Sequence, residues 1–147
     1  MTATSRLALG FAAGFLSHVI FQGALGTALH AAGVNPSLPW SLAPVPPLGV
    51  PHTLNLGFWD GLWGIAYALL EPRLTARTGR LPGGLVFGAA ALLVDWFVVL
   101  PLKGFGVGGG FHPAALPVEF AYAATFGASM ALLYHAGLRL AERPVPR

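Results

Sequence analysis

Four long apolar stretches dominate this sequence of 147 residues. A helix that crosses a membrane needs about 20 mostly apolar residues, and the four stretches are close to that length. They lie at about residues 7–29, 54–70, 83–102 and 118–138. Together they take up more than half of the chain, so no segment is left that could bury a separate soluble core. The sequence therefore predicts an all-α fold, with residues 1–147 forming one polytopic membrane domain built as a four-transmembrane-helix bundle.

Composition excludes several other classes of protein. Charged residues make up 9% of the chain, against about 25% in an ordinary soluble domain. The mean hydropathy of +0.68 argues against both a disordered chain and a soluble globular domain. The pI near 10 rests on eight basic and five acidic residues without a dense basic patch, so we expect no nucleic-acid partner. The absence of cysteine excludes disulfides and thiolate metal sites.

The distribution of basic residues predicts the orientation of the chain in the membrane. Cytoplasmic flanks of membrane spans carry an excess of Lys and Arg. Seven of the eight basic residues flank the same side of the four predicted spans: Arg6, Arg73, Arg77, Arg80, Arg139, Arg143 and Arg147. Lys103 alone lies on the other side, so both termini are predicted in the cytoplasm. The first stretch is expected to be retained, because its apolar run is about twice the length of a signal-peptide core.

Small residues recur on one face of three of the predicted spans. Glycine and alanine let helix backbones approach closely in lipid, so these faces are predicted helix contacts. The glycines predicted to pack are Gly10, Gly14, Gly57, Gly61, Gly64, Gly84 and Gly88. Asp60 and Asp95 share the small-residue faces of the second and third spans, which predicts that both aspartates point into the bundle.

Polar residues within the spans are the functional candidates. Ionisable groups in a bilayer are costly, and they usually face the bundle interior or a water-filled cavity. His18, Gln22, Asp60 and Asp95, termed here the polar cluster, are predicted in the middle and outer half of the bundle. Such a cluster is typical of proteins that move protons, metal ions or a small solute. Four helices are few to enclose a path, so a homo-oligomer is expected.

Other functions remain open at the level of sequence. The polar groups could only fix helix packing in an accessory subunit of a larger membrane complex. An outer metal site could draw on His30, His52, His112 and Glu119, although their spacing matches no compact metal motif. A haem is disfavoured because His18 lacks a histidine partner at its depth, and His135 stands alone near the cytoplasmic side. No hydrolase or lipid-processing motif identifies a catalytic residue, and the sequence requires no cofactor.

The two halves of the chain are weakly alike. The string WGIAYALL, residues 63–70, aligns with FGASMALL, residues 126–133. FAAGFLSHVIF, residues 11–21, aligns loosely with GAAALLVDWFV, residues 88–98, and this places His18 over Asp95. The first and third spans run in the same direction, so the pattern indicates a parallel repeat of two helix hairpins.

Four strings together resemble those of a group of small bacterial inner-membrane proteins with four spans and no assigned activity. They are FLSHVIFQGALG, LAPVPPLGVP, GFWDGLWG and PLKG. The positions that carry the resemblance are His18, Gln22, Trp59 and the turn at residues 101–104. The resemblance implies a multi-pass protein of the bacterial inner membrane embedded in the lipid bilayer. It implies no catalytic residue, because the group has no assigned activity.

Overall fold

The computed structural model describes residues 1–142, so Arg143 and Arg147 of the basic set lie outside the described residues. The fold is all-α, as predicted. Its four long helices are α1 (Ala3–Ala31), α2 (His52–Thr78), α3 (Arg80–Leu102) and α4 (Leu116–Ala141). Three of them, α1, α3 and α4, are long and apolar enough to cross a membrane. These three helices support a location in a membrane.

Helix α2 does not meet the same criterion of length and apolar composition, although its 27 residues make it longer than α3 and similar in length to α1 and α4. Its apolar run is interrupted by Asp60, and after residue 70 the helix continues through Glu71 and Pro72 to Thr78. The helix begins after Pro51, whose ψ of 135° is not helical, and it ends at Gly79. Gly79 has a φ of +85°, a conformation that glycine adopts readily, and this single residue joins α2 to α3.

Both α1 and α3 contain a wider π-helical turn in their second halves. These turns span Ser17–Gln22 in α1 and Asp95–Val99 in α3. Isolated π turns within α-helices occur often at functional sites, because the extra residue changes the direction of the side chains around it. Three residues of the polar cluster, His18, Gln22 and Asp95, lie within them.

The helices pack mainly as two pairs, α1 with α2 and α3 with α4. In the first pair, the backbone of Gly10 and Gly14 lies against the backbone of Asp60 and Gly64. The predicted contacts at Gly57 and Gly61 are also present, and there the rings of Phe15 and Phe11 lie over the glycines. A side chain larger than hydrogen has no room at these positions, which explains the small-residue face of each helix.

The second pair repeats this packing. Gly84 lies against the carbonyl of Gly127, and Gly88 lies against the carbonyl of Ala123. The prediction of Gly84 and Gly88 as packing residues is consistent with these contacts, while Gly127 was not among the glycines selected from the sequence. The two pairs meet around a core of large side chains that includes Tyr67, Phe87, Met130 and Tyr134.

Connections at one end of the bundle, termed the outer end, are long and irregular. Residues 32–51 contain a two-stranded hairpin, β1 (Pro44–Val45) paired antiparallel with β2 (Val50–Pro51). Trp40 in this connection folds back onto α1 and donates from Nε1 to the carbonyl of Val19 at 2.8 Å. Residues 103–115 form the second outer connection, which includes a short 3₁₀ turn at Val107–Gly110. The opposite end, where Gly79 joins α2 to α3, is termed the inner end.

Candidate functional site

Three members of the polar cluster meet in the outer half of the bundle. His18 Nδ1 lies 2.8 Å from Asp60 Oδ2 and 2.8 Å from Gln22 Oε1. Both partner atoms accept hydrogen bonds, so Nδ1 carries the proton and donates to them. Gln22 Nε2 in turn donates to the carbonyl of Tyr122 on α4 at 3.3 Å. The side chains of His18 and Asp60 are mostly buried, at 16% and 23% exposed.

The local backbone explains why these side chains meet. Gly14 allows α1 to approach the backbone of Asp60 directly, which places the aspartate within reach of His18 one turn further along α1. The π-helical turn Ser17–Gln22 carries both His18 and Gln22, and the two side chains hydrogen-bond to each other across it. The small-residue face and the polar trio are therefore parts of one helix contact.

The fourth member, Asp95, reaches the same region from α3. Asp60, Gln22 and Asp95 all line a cavity of about 380 Å³ in the outer half of the bundle, termed here the outer cavity. Glu119 of α4 lines it as well, so three of the five acidic side chains of the chain border one space. Aromatic side chains complete part of the wall, and they are Trp63, Tyr122 and Phe126.

Glu119 is oriented by an aromatic partner. Trp96 Nε1 donates to Glu119 Oε2 at 2.7 Å, and the Trp96 ring packs edge-on against Phe111 and Phe120. Trp96 is itself buried within the π-helical turn that begins at Asp95. The second outer connection, through Phe111, therefore supports one carboxylate of the outer cavity.

The residues considered for a metal site are dispersed. His30 Nδ1 bonds the carbonyl of Asn35 at 2.9 Å, and His52 lines a different outer pocket beside Tyr122. His112 is exposed in the second outer connection, whereas Glu119 faces the outer cavity. Within residues 1–142, no group of three or more His, Asp or Glu side chains is arranged to hold a metal ion.

A second polar group, at the inner end, was missed by the sequence analysis. Arg6 Nη2 donates to Glu71 Oε2 at 3.2 Å, and Arg6 Nε donates to the Tyr134 hydroxyl at 3.2 Å. Thr75 Oγ1 donates to Glu71 Oε1 at 3.0 Å. The expectation that His135 stands alone was wrong, because its Nε2 lies 3.6 Å from Glu71 Oε1. Arg6, Glu71, Tyr134 and His135 are termed here the inner network.

One signal in the sequence could have revealed Glu71. The buried face of α2 continues beyond the apolar run at the same alternation of three- and four-residue steps, through positions 57, 61, 64, 68 and 71. A residue that extends such a face points towards the same neighbouring helices. Counting only apolar residues stopped the predicted span at residue 70 and excluded the glutamate from consideration.

Comparison of this chain with protein-family models, with curated proteins and with solved structures finds no match in any of the three.

Proposed function

We propose that this chain is a four-span protein of the bacterial inner membrane that moves protons, metal ions or another small solute through its outer cavity. The observation that carries the proposal is the convergence of Asp60, Asp95 and Glu119, from three different helices, on one cavity. Carboxylates in membrane helices are costly to insert, and they usually mark the pathway of an ion or a proton. The His18–Asp60 pair beside this cavity adds an imidazole, a side chain that commonly serves in proton transfer.

The proposed fourth span is α2. At 1.5 Å per residue its 27 residues extend about 40 Å, which exceeds the roughly 30 Å of a hydrocarbon core. Its polar residues are compensated from within the chain, since Asp60 pairs with His18 and Glu71 pairs with Arg6. The fourth span is also supported by the close backbone contact of α2 with Gly10 and Gly14 of α1, a helix that is apolar enough to span.

The proposed arrangement is a parallel repeat of two helix hairpins, α1–α2 and α3–α4. Support comes from the equivalent glycine contacts, in which Gly64 faces Gly10 and Gly127 faces Gly84. This matches the alignment of residues 63–70 with residues 126–133. When the two hairpins are aligned by these glycine contacts, Gly10 corresponds to Gly84. His18 then aligns with Leu92, and not with Asp95 as in the sequence alignment. The His–Asp pair therefore belongs to the first hairpin, and Asp95 approaches from the second.

Flux through purified protein tests the proposed transport. Proteoliposomes with a trapped pH indicator report proton movement, and a potassium or divalent-ion indicator reports other cations. We expect flux for at least one of these ions, and Asp95→Asn is expected to reduce it at least tenfold because it removes a charge at the cavity wall. Glu142→Gln is the matched control, since Glu142 is exposed at the end of α4, away from the cavity. Equal flux in the native and Asp95→Asn proteins, both monodisperse, contradicts the proposal.

Cysteine labelling tests the proposed topology, and the native chain contains no cysteine to interfere. Leu48→Cys lies in the first outer connection, where the native side chain is 84% exposed. Arg77→Cys lies at the exposed inner end of α2. We expect an impermeant maleimide to label position 48 in intact cells and position 77 only after the membrane is opened. Labelling of both positions in intact cells contradicts four spans with cytoplasmic termini.

The second candidate function is that of an accessory subunit in a larger membrane complex. It is favoured by an apolar groove of about 510 Å³ beside the hairpin, lined by Leu48, Phe58 and Trp59 among others. Trp59 is 58% exposed, on the outward face of α2. Purification from native membranes in mild detergent distinguishes the candidates. A stoichiometric complex with other proteins supports the accessory role, whereas a homo-oligomer is expected for the transporter because four helices leave the outer cavity open.

A further inference from the structure

A second cavity lies at the inner end, between the start of α3 and the end of α4. Its volume is about 290 Å³, and it is termed here the inner cavity. The polar part of its lining consists of Arg80, Arg139 and His135. The rest of the lining is apolar and includes Leu81 and Leu132, whose side chains are 44% and 59% exposed on the surface of the bundle. The cavity therefore has cationic residues on one side and lies next to an exposed apolar surface.

The two arginines of this cavity lack an acidic partner within the part of the chain that the structure describes. Among residues 1–142, the acidic side chains that form ion pairs are Glu71, with Arg6 and His135, and Asp60, with His18. Glu71, the nearest buried carboxylate, already accepts hydrogen bonds from Arg6 and Thr75. Two arginines thus line a cavity that contains no acidic side chain among the described residues.

Two further features favour an anion at this position. The side chain of His135 lines the cavity and is 9% exposed; its Nε2 atom lies 3.6 Å from Glu71 Oε1 and makes no hydrogen bond among the described residues. Helix α3 begins at Arg80 after Gly79, without a side chain that caps its first turn. The N-terminal amides of a helix carry partial positive charge and favour phosphate groups. Arginine adds a planar pair of donors that matches the oxygens of a phosphate.

We propose that the inner cavity binds the phosphate group of an anionic phospholipid. The phosphate would contact Arg80 and Arg139 near the start of α3, and an acyl chain would lie along Leu81 and Leu132. Exposed leucines directly beside the cationic wall favour a lipid over a free anion, because only the lipid occupies both surfaces. This proposal does not depend on the outer cavity or on transport.

Lipid binding to the full chain in neutral detergent tests the proposal. Native mass spectrometry measures bound phosphatidylglycerol and phosphatidylcholine, and a thermal-shift assay measures inorganic phosphate. We expect phosphatidylglycerol to bind at least tenfold more tightly than phosphatidylcholine. The double variant Arg80→Gln/Arg139→Gln is expected to lose this preference. Arg73→Gln/Arg77→Gln removes the same charge from exposed positions of α2 outside the cavity and is expected to retain it.

The outcomes distinguish a phospholipid from free phosphate as the ligand, or they reject the site. Phosphatidylglycerol preference that is lost only in the Arg80/Arg139 variant supports a lipid site. Competition by inorganic phosphate at equal concentration supports a phosphate site but overturns the lipid as its occupant. Equal losses in both double variants show attraction to the general positive charge and overturn the proposal. All four arginines are exposed, so the variants are expected to remain folded, and size-exclusion chromatography verifies this.

Discussion

Gly64→Ala is expected to destabilise the folded protein strongly, although it adds a single methyl group. A methyl group added to the α-carbon of Gly64 would overlap the carbonyl of Gly10 and meet the backbone nitrogen of Gly14. Backbone atoms cannot rotate away as a flexible side chain can, so α1 and α2 must separate. Overpacking of a tight core costs about 1–3 kcal/mol or more. We expect a Tm in detergent at least 10 °C below that of the native protein.

Gly83→Ala is the matched control, because Gly83 is also a buried glycine in a helix. The nearest atom to its added methyl would be Thr78 Oγ1 at 3.3 Å, which belongs to a side chain at the inner end. Alanine favours a helix over glycine by about 1 kcal/mol, so an unchanged or higher Tm is expected. If Gly64→Ala and Gly83→Ala have the same Tm as the native protein, the close contact of α1 with α2 is wrong.

The glycine pattern shows how much of the fold the sequence could predict. The glycine contacts of α1, α2 and α3 are consistent with the small-residue faces predicted from the sequence. The sequence pattern could not identify which helix covers each face, because glycine contributes no side chain that specifies a partner. Gly127 was overlooked because its neighbours one turn away are Ala123 and Ala131, which are common in any apolar helix. Only the packing of α3 on α4 shows that Gly127 has the same role as Gly64.

The candidate site was predictable to a similar extent. His18, Gln22 and Asp60 meet because each lies on or beside a small-residue face, and that property is visible in the sequence. The sequence indicates Glu119 only as a candidate ligand of an outer metal site, because it lies at the start of a predicted span. Its place in the outer cavity depends on Trp96, whose indole holds the carboxylate from another helix. Such a pairing between distant residues leaves no periodic signal.

Glu71→Leu is expected to produce the second large loss of stability. Glu71 is buried, and it accepts hydrogen bonds from Arg6 and Thr75 while lying close to His135. Leucine fills a similar volume but leaves the donors around it without an acceptor. An unsatisfied buried donor costs about 1–3 kcal/mol, and more when the donor is charged. Because the Arg6 side chain is 39% exposed and can turn towards water, we expect a loss of about 2 kcal/mol in the free energy of unfolding.

Two further variants distinguish the loss of the Arg6–Glu71 ion pair from a general effect of substitution. Glu142→Leu, at an exposed position after α4, is expected to leave the Tm unchanged. Arg6→Met combined with Glu71→Leu removes donor and acceptor together, and replacing both partners by apolar groups is often nearly neutral. The double variant is therefore expected to be more stable than Glu71→Leu alone. A double variant that is less stable than either single variant would show that Arg6 and Glu71 stabilise the inner end independently, through Tyr134 and Thr75 respectively.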